Sequence, residues 1–348
     1  MVSKTKVLGV LIDEDLSFLP QSDMIYNILT SKWAMICNNC NRHWGFTQRV
    51  MCQLIKTLFL STTLCASHVW MTQENMKQIN QLYYKMMKSA VGAVFNVKKS
   101  RVELILGIPP LHIQNSVNQI KHLLKLNIHK YPDDKLRECI HKQSSAGNQT
   151  PVGLRIALKQ VVKFLRWKMT LHDDHFSDRD REIIQGSDIS QFLTLSGKSC
   201  TYSKRDVTKY TELLWYESIR NEFMCEGHSV LPVPSCKPLQ IRTAGNREEE
   251  VLLMSLTYDN NLLNGFLHKV NPTYSDSPLC YCGDAIQTPV HVLFQCSRIP
   301  EHDKNLALMY LQEVSGEESV ELNSISILNA IRDEKFVKNS YEYPTCAW

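Results

Sequence analysis

The chain has 348 residues, 43% of them hydrophobic and 21% charged, which is enough for two or three compact units and excludes a disordered chain. Its net charge of +4 is too small to mark a polyanion-binding protein by itself, so any such surface has to come from local clustering. Lys4, Lys6 and Asp13 interrupt the N-terminus where a secretory signal would be apolar, and no run reaches the roughly 18 apolar residues of a membrane span, so an intracellular protein with no membrane partner is expected.

In chain order, Val7 to Ile12 is a short β-branched run ending in Asp13-Glu14-Asp15, which predicts a strand leading into a turn. From Asp23 to about Ala93 the pattern is helical. Leu54, Leu58 and Thr62 form one stripe, and Ile79, Leu82 and Met86 a second. Breaks near His43-Trp44-Gly45, Met71-Thr72-Gln73 and Val94 to Ser100 leave three helices suited to an antiparallel bundle. Pro109-Pro110 ends the next element, and Leu111 to Ile128 predicts a helix. Gln143 to Gln149 is a polar linker, after which Thr150-Pro151 opens another helix, with a hydroxyl at the cap and proline in the first turn. On that helix Leu154, Leu158, Val161 and Leu165 share one face, while Arg155, Lys159, Lys163 and Arg166 share another, with Lys168 following. No Asp or Glu lies between Cys139 and His172, so this basic stripe has no local counter-charge. It is either a surface that follows a nucleic-acid backbone or an ordinary solvated face.

The sharpest chemical signal is Cys280-Tyr-Cys282-Gly283 followed by His291 and Cys296, a C-x-C-x8-H-x4-C spacing. Three thiolates and an imidazole meet zinc's demand for four tetrahedral soft or borderline ligands. Full protein ligation makes such a site structural, without a position for catalytic water. Gly283 is expected to let the chain turn where a Cβ would crowd the metal, and Thr288-Pro289 to cap a short helix carrying His291 inward. The alternative is three buried thiols and a core histidine. Cys37-Asn-Asn-Cys40 with His43 starts like a knuckle but has no second pair at a useful distance, and His172-Asp-Asp-His175 reads as a solvated loop. Tyr131-Pro132-Asp133-Asp134 imitates a polymerase carboxylate box, but its flanks are polar and its proline disfavours a strand.

Taken in order, several phrases resemble the post-palm part of non-LTR (LINE-type, jockey- and R1-like) retrotransposon reverse transcriptases. Lys6-Val-Leu-Gly-Val-Leu-Ile-Asp13 with Leu16-Ser-Phe18 is similar to the passage after the palm. Trp44-Gly45, Leu54 to Leu58 and Val69-Trp70 resemble the thumb, although Leu64-Cys65-Ala66-Ser67 stands where the family has tyrosine and glycine. Gln81 to Lys85 through Val91-Gly-Ala93, then Leu106-Gly-Ile-Pro-Pro-Leu111, continue the order, and Ser277 to Cys296 resembles the terminal knuckle.

The resemblance implies a mainly α protein with a short N-terminal β remnant at 1–20, a helical thumb-like bundle at 21–95, a helical connector at 96–245, a zinc-knuckle region at 246–310 and a tail at 311–348. It implies a C-terminal part of an RNA-directed DNA polymerase that is not an enzyme as this chain. The catalytic aspartates, with their Mg2+, are expected upstream in the palm of the parent polyprotein. Structural Zn2+ on Cys280, Cys282, His291 and Cys296 is expected, with RNA or DNA template-primer and the parent's palm and fingers as partners. Nucleic-acid contacts are expected on Arg155, Lys159, Lys163, Arg166 and Lys168, and the nucleus is the expected compartment. The alternative is a domesticated zinc-knuckle nucleic-acid-binding protein.

Overall fold

The computed structural model describes residues 4–38, 44–93, 95–128, 152–186, 195–225, 232–237, 247–258 and 261–302, with a few positions beyond. The described residues are mainly helical with one short antiparallel sheet, and none of their helices is long and apolar enough to cross a membrane. The chain divides into two compact units, 1–22 with 63–76 and 110–215, and 23–62 with 77–109 and 216–348. These are interleaved, whereas the sequence phrases suggested blocks in series. The reason is that consecutive helices find their packing partners far along the chain.

In the first unit, the single predicted strand is a hairpin. Strands β1 (Lys4–Val7) and β2 (Val10–Asp13) pair antiparallel with Val7 opposite Val10. Leu8 and Gly9 turn the chain with φ of 48° and 92°, the left-handed pair of a tight two-residue hairpin. At the end of β2, the Asp13 carboxylate accepts from the Ser17 hydroxyl (2.7 Å) and from the Phe18 and Ser17 amides (2.8 and 3.0 Å). The Ser17 hydroxyl foremost holds Asp13 below the usual carboxylate range. Asn75 fastens this segment, donating to the Ser17 and Trp70 carbonyls while its own carbonyl accepts from the Ser22 hydroxyl.

Helix α1 covers Leu19–Cys37, α2 Gln48–Leu54 and α3 Ser61–Leu64, with a π-helical segment Ile55–Leu60 between the last two. Then come α4 (Ser67–Trp70), α5 (Gln73–Ala90), α6 (Lys99–Leu106) and α7 (Leu111–Ile128), so the predicted breaks and the predicted span of α7 agree with the structure. Within the second unit the Ile79, Leu82 and Met86 stripe is buried, but Leu58 is exposed. The inward positions are Met51, Ile55 and Phe59 instead of Leu54, Leu58 and Thr62, and the wider π turn Ile55–Leu60 carries the last of them. Phe59 stacks on Tyr83 at 5.1 Å between ring centroids.

Helix α8 (Val152–Leu171) packs against α7 in the first unit, burying Ala157, Leu158, Val161, Phe164 and Leu165 with Ile120, Leu123 and Leu124. The period that selects Leu158, Val161 and Leu165 as apolar is therefore the one the core uses; Thr150, Pro151 and the Leu154 side chain lie outside the described residues. Helices α9 (Asp178–Gln185), α10 (Gly197–Cys200) and the first turns of α11 (Lys204–Cys225) complete this core through Ile184, Cys200 and Tyr210. Each fully buried side chain of this kind contributes about 1.5–3 kcal/mol. In the second unit α12 (Arg247–Ser255) is tied down by Arg247, whose guanidinium donates to the Ser89 and Ala90 carbonyls at 3.0 and 2.8 Å. Gly92 is required beside it: its φ is 70°, and a Cβ there would meet a Val251 methyl at 2.3 Å.

Candidate metal centre

The Cys/His cluster grows from a small hairpin in the second unit. Leu279 bridges Ile286, the Cys280 amide donates to Ala285 O at 2.8 Å and the Gln287 amide to Pro278 O at 2.9 Å. Gly283 turns this hairpin with a φ of 85° and its amide on Cys280 O at 2.8 Å. A Cβ at Gly283 would meet no protein atom within 4 Å, so the glycine is demanded by left-handed backbone and not by crowding at the ligands. Downstream, the Thr288 hydroxyl accepts from the His291 amide at 3.1 Å, the cap expected from Thr288-Pro289. The turn His291–Gln295 is π-helical, and Cys296 closes it with its amide on His291 O at 2.8 Å. This wider turn returns Cys296 to the same side as His291.

The result gathers all four predicted ligands. The Sγ atoms of Cys280, Cys282 and Cys296 and one imidazole nitrogen of His291 lie within 4.8 Å of one another. The Cys280 and Cys296 sulfurs are 3.8 Å apart, and Cys282 Sγ is 3.2 Å from His291 Nε2. A tetrahedral ion with Zn–S of about 2.3 Å and Zn–N of about 2.0 Å needs S···S edges of roughly 3.8 Å and S···N edges of roughly 3.6 Å. The two edges given lie within about half an ångström of these values and all four atoms lie within 4.8 Å of one another, so the cluster could hold a metal ion such as zinc. It is the only cluster of this type among the described residues.

Electrostatics distinguish the sulfurs. Burial pushes the Cys280 thiol up to about 11, whereas the Asp284 amide, with Sγ accepting at 3.5 Å, draws Cys282 down to about 7. Asp284 in turn accepts from the Ser297 hydroxyl at 2.5 Å. Behind these residues Cys280, Cys296 and Ile299 form a small buried cluster with Cys282 against it, and Val292 and Leu293 of the following turn are buried as well.

Sequence reading did not find the seat of the knuckle. Helix α13 (Asn264–Val270) presents its first turn to buried Gln287, whose side-chain oxygen accepts from the Asn264 amide at 2.8 Å. The Gly265 amide donates to Gln287 O at 3.2 Å, and a Cβ on Gly265 would lie 2.7 Å from that oxygen. The only local hint is a glycine in the first turn of a helix.

The basic stripe divides. Lys159 and Lys163 are exposed, and the Arg155 side chain lies outside the described residues. Arg166 has its guanidinium on the carbonyls of Ile184, Gln185 and Gly186 at 2.7–3.1 Å, closing the C-terminus of α9. Lys168 is corrected outright as a nucleic-acid contact, because it is 1% exposed. Its ammonium donates to Thr201 O at 2.5 Å and Ser199 O at 3.3 Å and lies 5.1 Å from the Phe176 ring centroid. Burial lowers its proton affinity. His172 and His175 stack, and His172 reaches the Asp206 carboxylate at 3.5 Å, a contact that orders the end of α8. Cys37 is exposed, while Cys40, His43 and the Tyr131 to Asp134 box lie outside the described residues.

No family model, curated protein or solved structure matches the chain.

Proposed function

We propose that the chain is the C-terminal part of a non-LTR retrotransposon reverse transcriptase, carrying a structural zinc knuckle and serving to grip nucleic acid. The observation that carries this reading is the convergence of Cys280, Cys282, His291 and Cys296 on one cage of tetrahedral size, at the place where the family's terminal knuckle stands in the order of phrases. Zinc held there is fully ligated by protein, so its chemistry is that of a cross-link between hairpin and helical turn. The helical thumb-like and connector segments bear on template and primer, with Lys159 and Lys163 as exposed cations of α8 whose ammonium groups are not spent on closing α9, as the Arg166 guanidinium is. Nucleotide addition, which needs paired carboxylates and magnesium, belongs in this reading to the palm of the parent protein.

The test has two arms. The purified chain should bind single-stranded RNA or DNA with a salt-dependent affinity that Lys159→Glu with Lys163→Glu weakens; binding that ignores salt and both substitutions refutes the role of α8. The DNA upstream of the Met1 codon should encode a frame with paired aspartates. An ordinary promoter and intron structure there would instead support a domesticated binding protein.

A further inference from the structure

A second cationic cluster lies in the first unit, on α4, α7 and the start of α11. Helix α4 packs on α7, placing His68 against His122 with ring centroids 3.9 Å apart. Lys121 and Lys125 are one turn apart on α7 and flank His122 in sequence. Helix α10 also packs on α7, and the chain leaving it reaches Lys204 at the start of α11. Lys121 feels both Lys125 and Lys204, His122 feels Lys125, and His68 feels His122, every one a like-charge interaction. Burial comes first and like charge second in holding Lys121, His122 and His68 below their usual proton affinities.

No carboxylate pairs with these five groups among the described residues. The acid on the neighbouring turn, Asp206, is occupied by the Ser203 amide (2.9 Å) and by His172. The other packed elements add cations and a buried thiol: Lys198 and Cys200 on α10, Arg205 on α11, and Lys159 and Lys163 on α8. Half-burying an ammonium among like charges raises the energy of the unliganded protein, and an anion relieves it.

We propose that His68, Lys121, His122, Lys125 and Lys204 form a phosphate-binding site that takes the phosphate groups of a polynucleotide backbone. The polynucleotide as source rests on the function proposed above; the phosphate chemistry does not. The two imidazoles make the site proton-linked. A bound phosphate raises their proton affinity, so binding strengthens as pH falls from 8 to 6, by up to about tenfold per pH unit for each imidazole that takes up a proton.

The experiment measures the full chain against a single-stranded RNA oligonucleotide by fluorescence anisotropy, and against inorganic pyrophosphate by calorimetry. Lys121→Gln with Lys125→Gln should weaken RNA binding by tenfold or more and lower the salt slope by roughly 1.4, two phosphates at about 0.7 each for a single strand. Its melting temperature should stay equal or rise, because repulsion is removed. Lys204→Gln, an exposed change on another helix, should weaken binding by roughly threefold, and His122→Gln should flatten the pH dependence. RNA binding unchanged in the double variant and in Lys204→Gln overturns the site and leaves the proposed function standing. Pyrophosphate bound by the wild type and lost in the variant, with RNA ignored, keeps the site and refutes the polynucleotide reading. Binding of neither ligand overturns the site.

Discussion

Replacing Cys282 by serine tests the metal centre most directly, because the substitution removes one coordinating sulfur with almost no change of volume. Behind the cluster the buried apolar side chains of 278–299 are Val292, Leu293 and Ile299, with Cys280 and Cys296 themselves candidate ligands. Without a metal the segment 278–299 has three buried aliphatic side chains to hold it, worth about 1.5–3 kcal/mol each, whereas structural zinc contributes on the order of 10 kcal/mol to small zinc modules. Partners outside the ligand set typically change metal affinity by about 10–100-fold. Cys282→Ser should exceed that range, with a loss of more than about a hundredfold, while Ser297→Ala, which acts on the Cys282 sulfur only through Asp284, should cost about tenfold. The pH dependence has a definite sign. The ion takes up thiolates, and with Cys280 up at about 11 and Cys282 near 7, binding releases protons near neutrality. Affinity should therefore fall as pH drops below 7, by roughly a hundredfold or more per pH unit, because all three thiols have to ionise. Native mass spectrometry of the reduced protein should give one zinc per chain. Competition with a chromophoric chelator gives the affinities, and the visible bands of substituted cobalt report tetrahedral thiolate ligation. Hydrogen exchange after chelation should accelerate across 278–299 and little elsewhere. A reduced wild type that takes up no metal, or a Cys282→Ser protein with unchanged affinity, refutes the reasoning.

Three further outcomes follow from buried groups. Burial pushes Glu103 up to about 8, with Lys99 at 3.6 Å too distant for a hydrogen bond. A carboxyl whose folded value is raised lends its full stability below the unfolded value near 4.5 and loses it as pH climbs to about 8. Stability by chemical denaturation should thus decline by a few kcal/mol over that window, and Glu103→Gln should abolish the slope; an identical slope in the variant contradicts this. Lys168→Ala strips the Ser199 and Thr201 carbonyls of their donor and should cost about 2–5 kcal/mol, with RNA affinity unchanged at permissive temperature. A selective loss of RNA affinity without loss of stability would return Lys168 to the binding surface. Gly265→Ala drives a Cβ to 2.7 Å from the Gln287 carbonyl oxygen, so it should cost about 1–3 kcal/mol and speed metal loss from the knuckle, measured by chelator-driven release. Release at the wild-type rate would mean that α13 does not seat the knuckle.

What the sequence determined by itself is what short-range physics decides. Pro109-Pro110 separates α6 from α7, the Ile79, Leu82 and Met86 period marks the inner face of α5, and Thr288 caps the turn bearing His291. The four members of the Cys/His cluster are legible for the same reason, since hairpin and turn lie within seventeen residues and their spacing nearly dictates that they meet. Tertiary structure decided the rest. Leu58 is as apolar as Phe59, and only the π segment and the contact with Tyr83 settle which of them is buried. Lys168 follows Arg166 by two positions along an apparently uniform basic stretch, yet it turns inward because two carbonyls more than thirty residues away offer it hydrogen bonds. His68, His122 and Lys204 acquire a common electrostatic environment from helices that no local pattern connects. Caps, periods and ligand spacings act within a turn or two, whereas the choice of buried face and the summed field of charges depend on partners brought together only by folding.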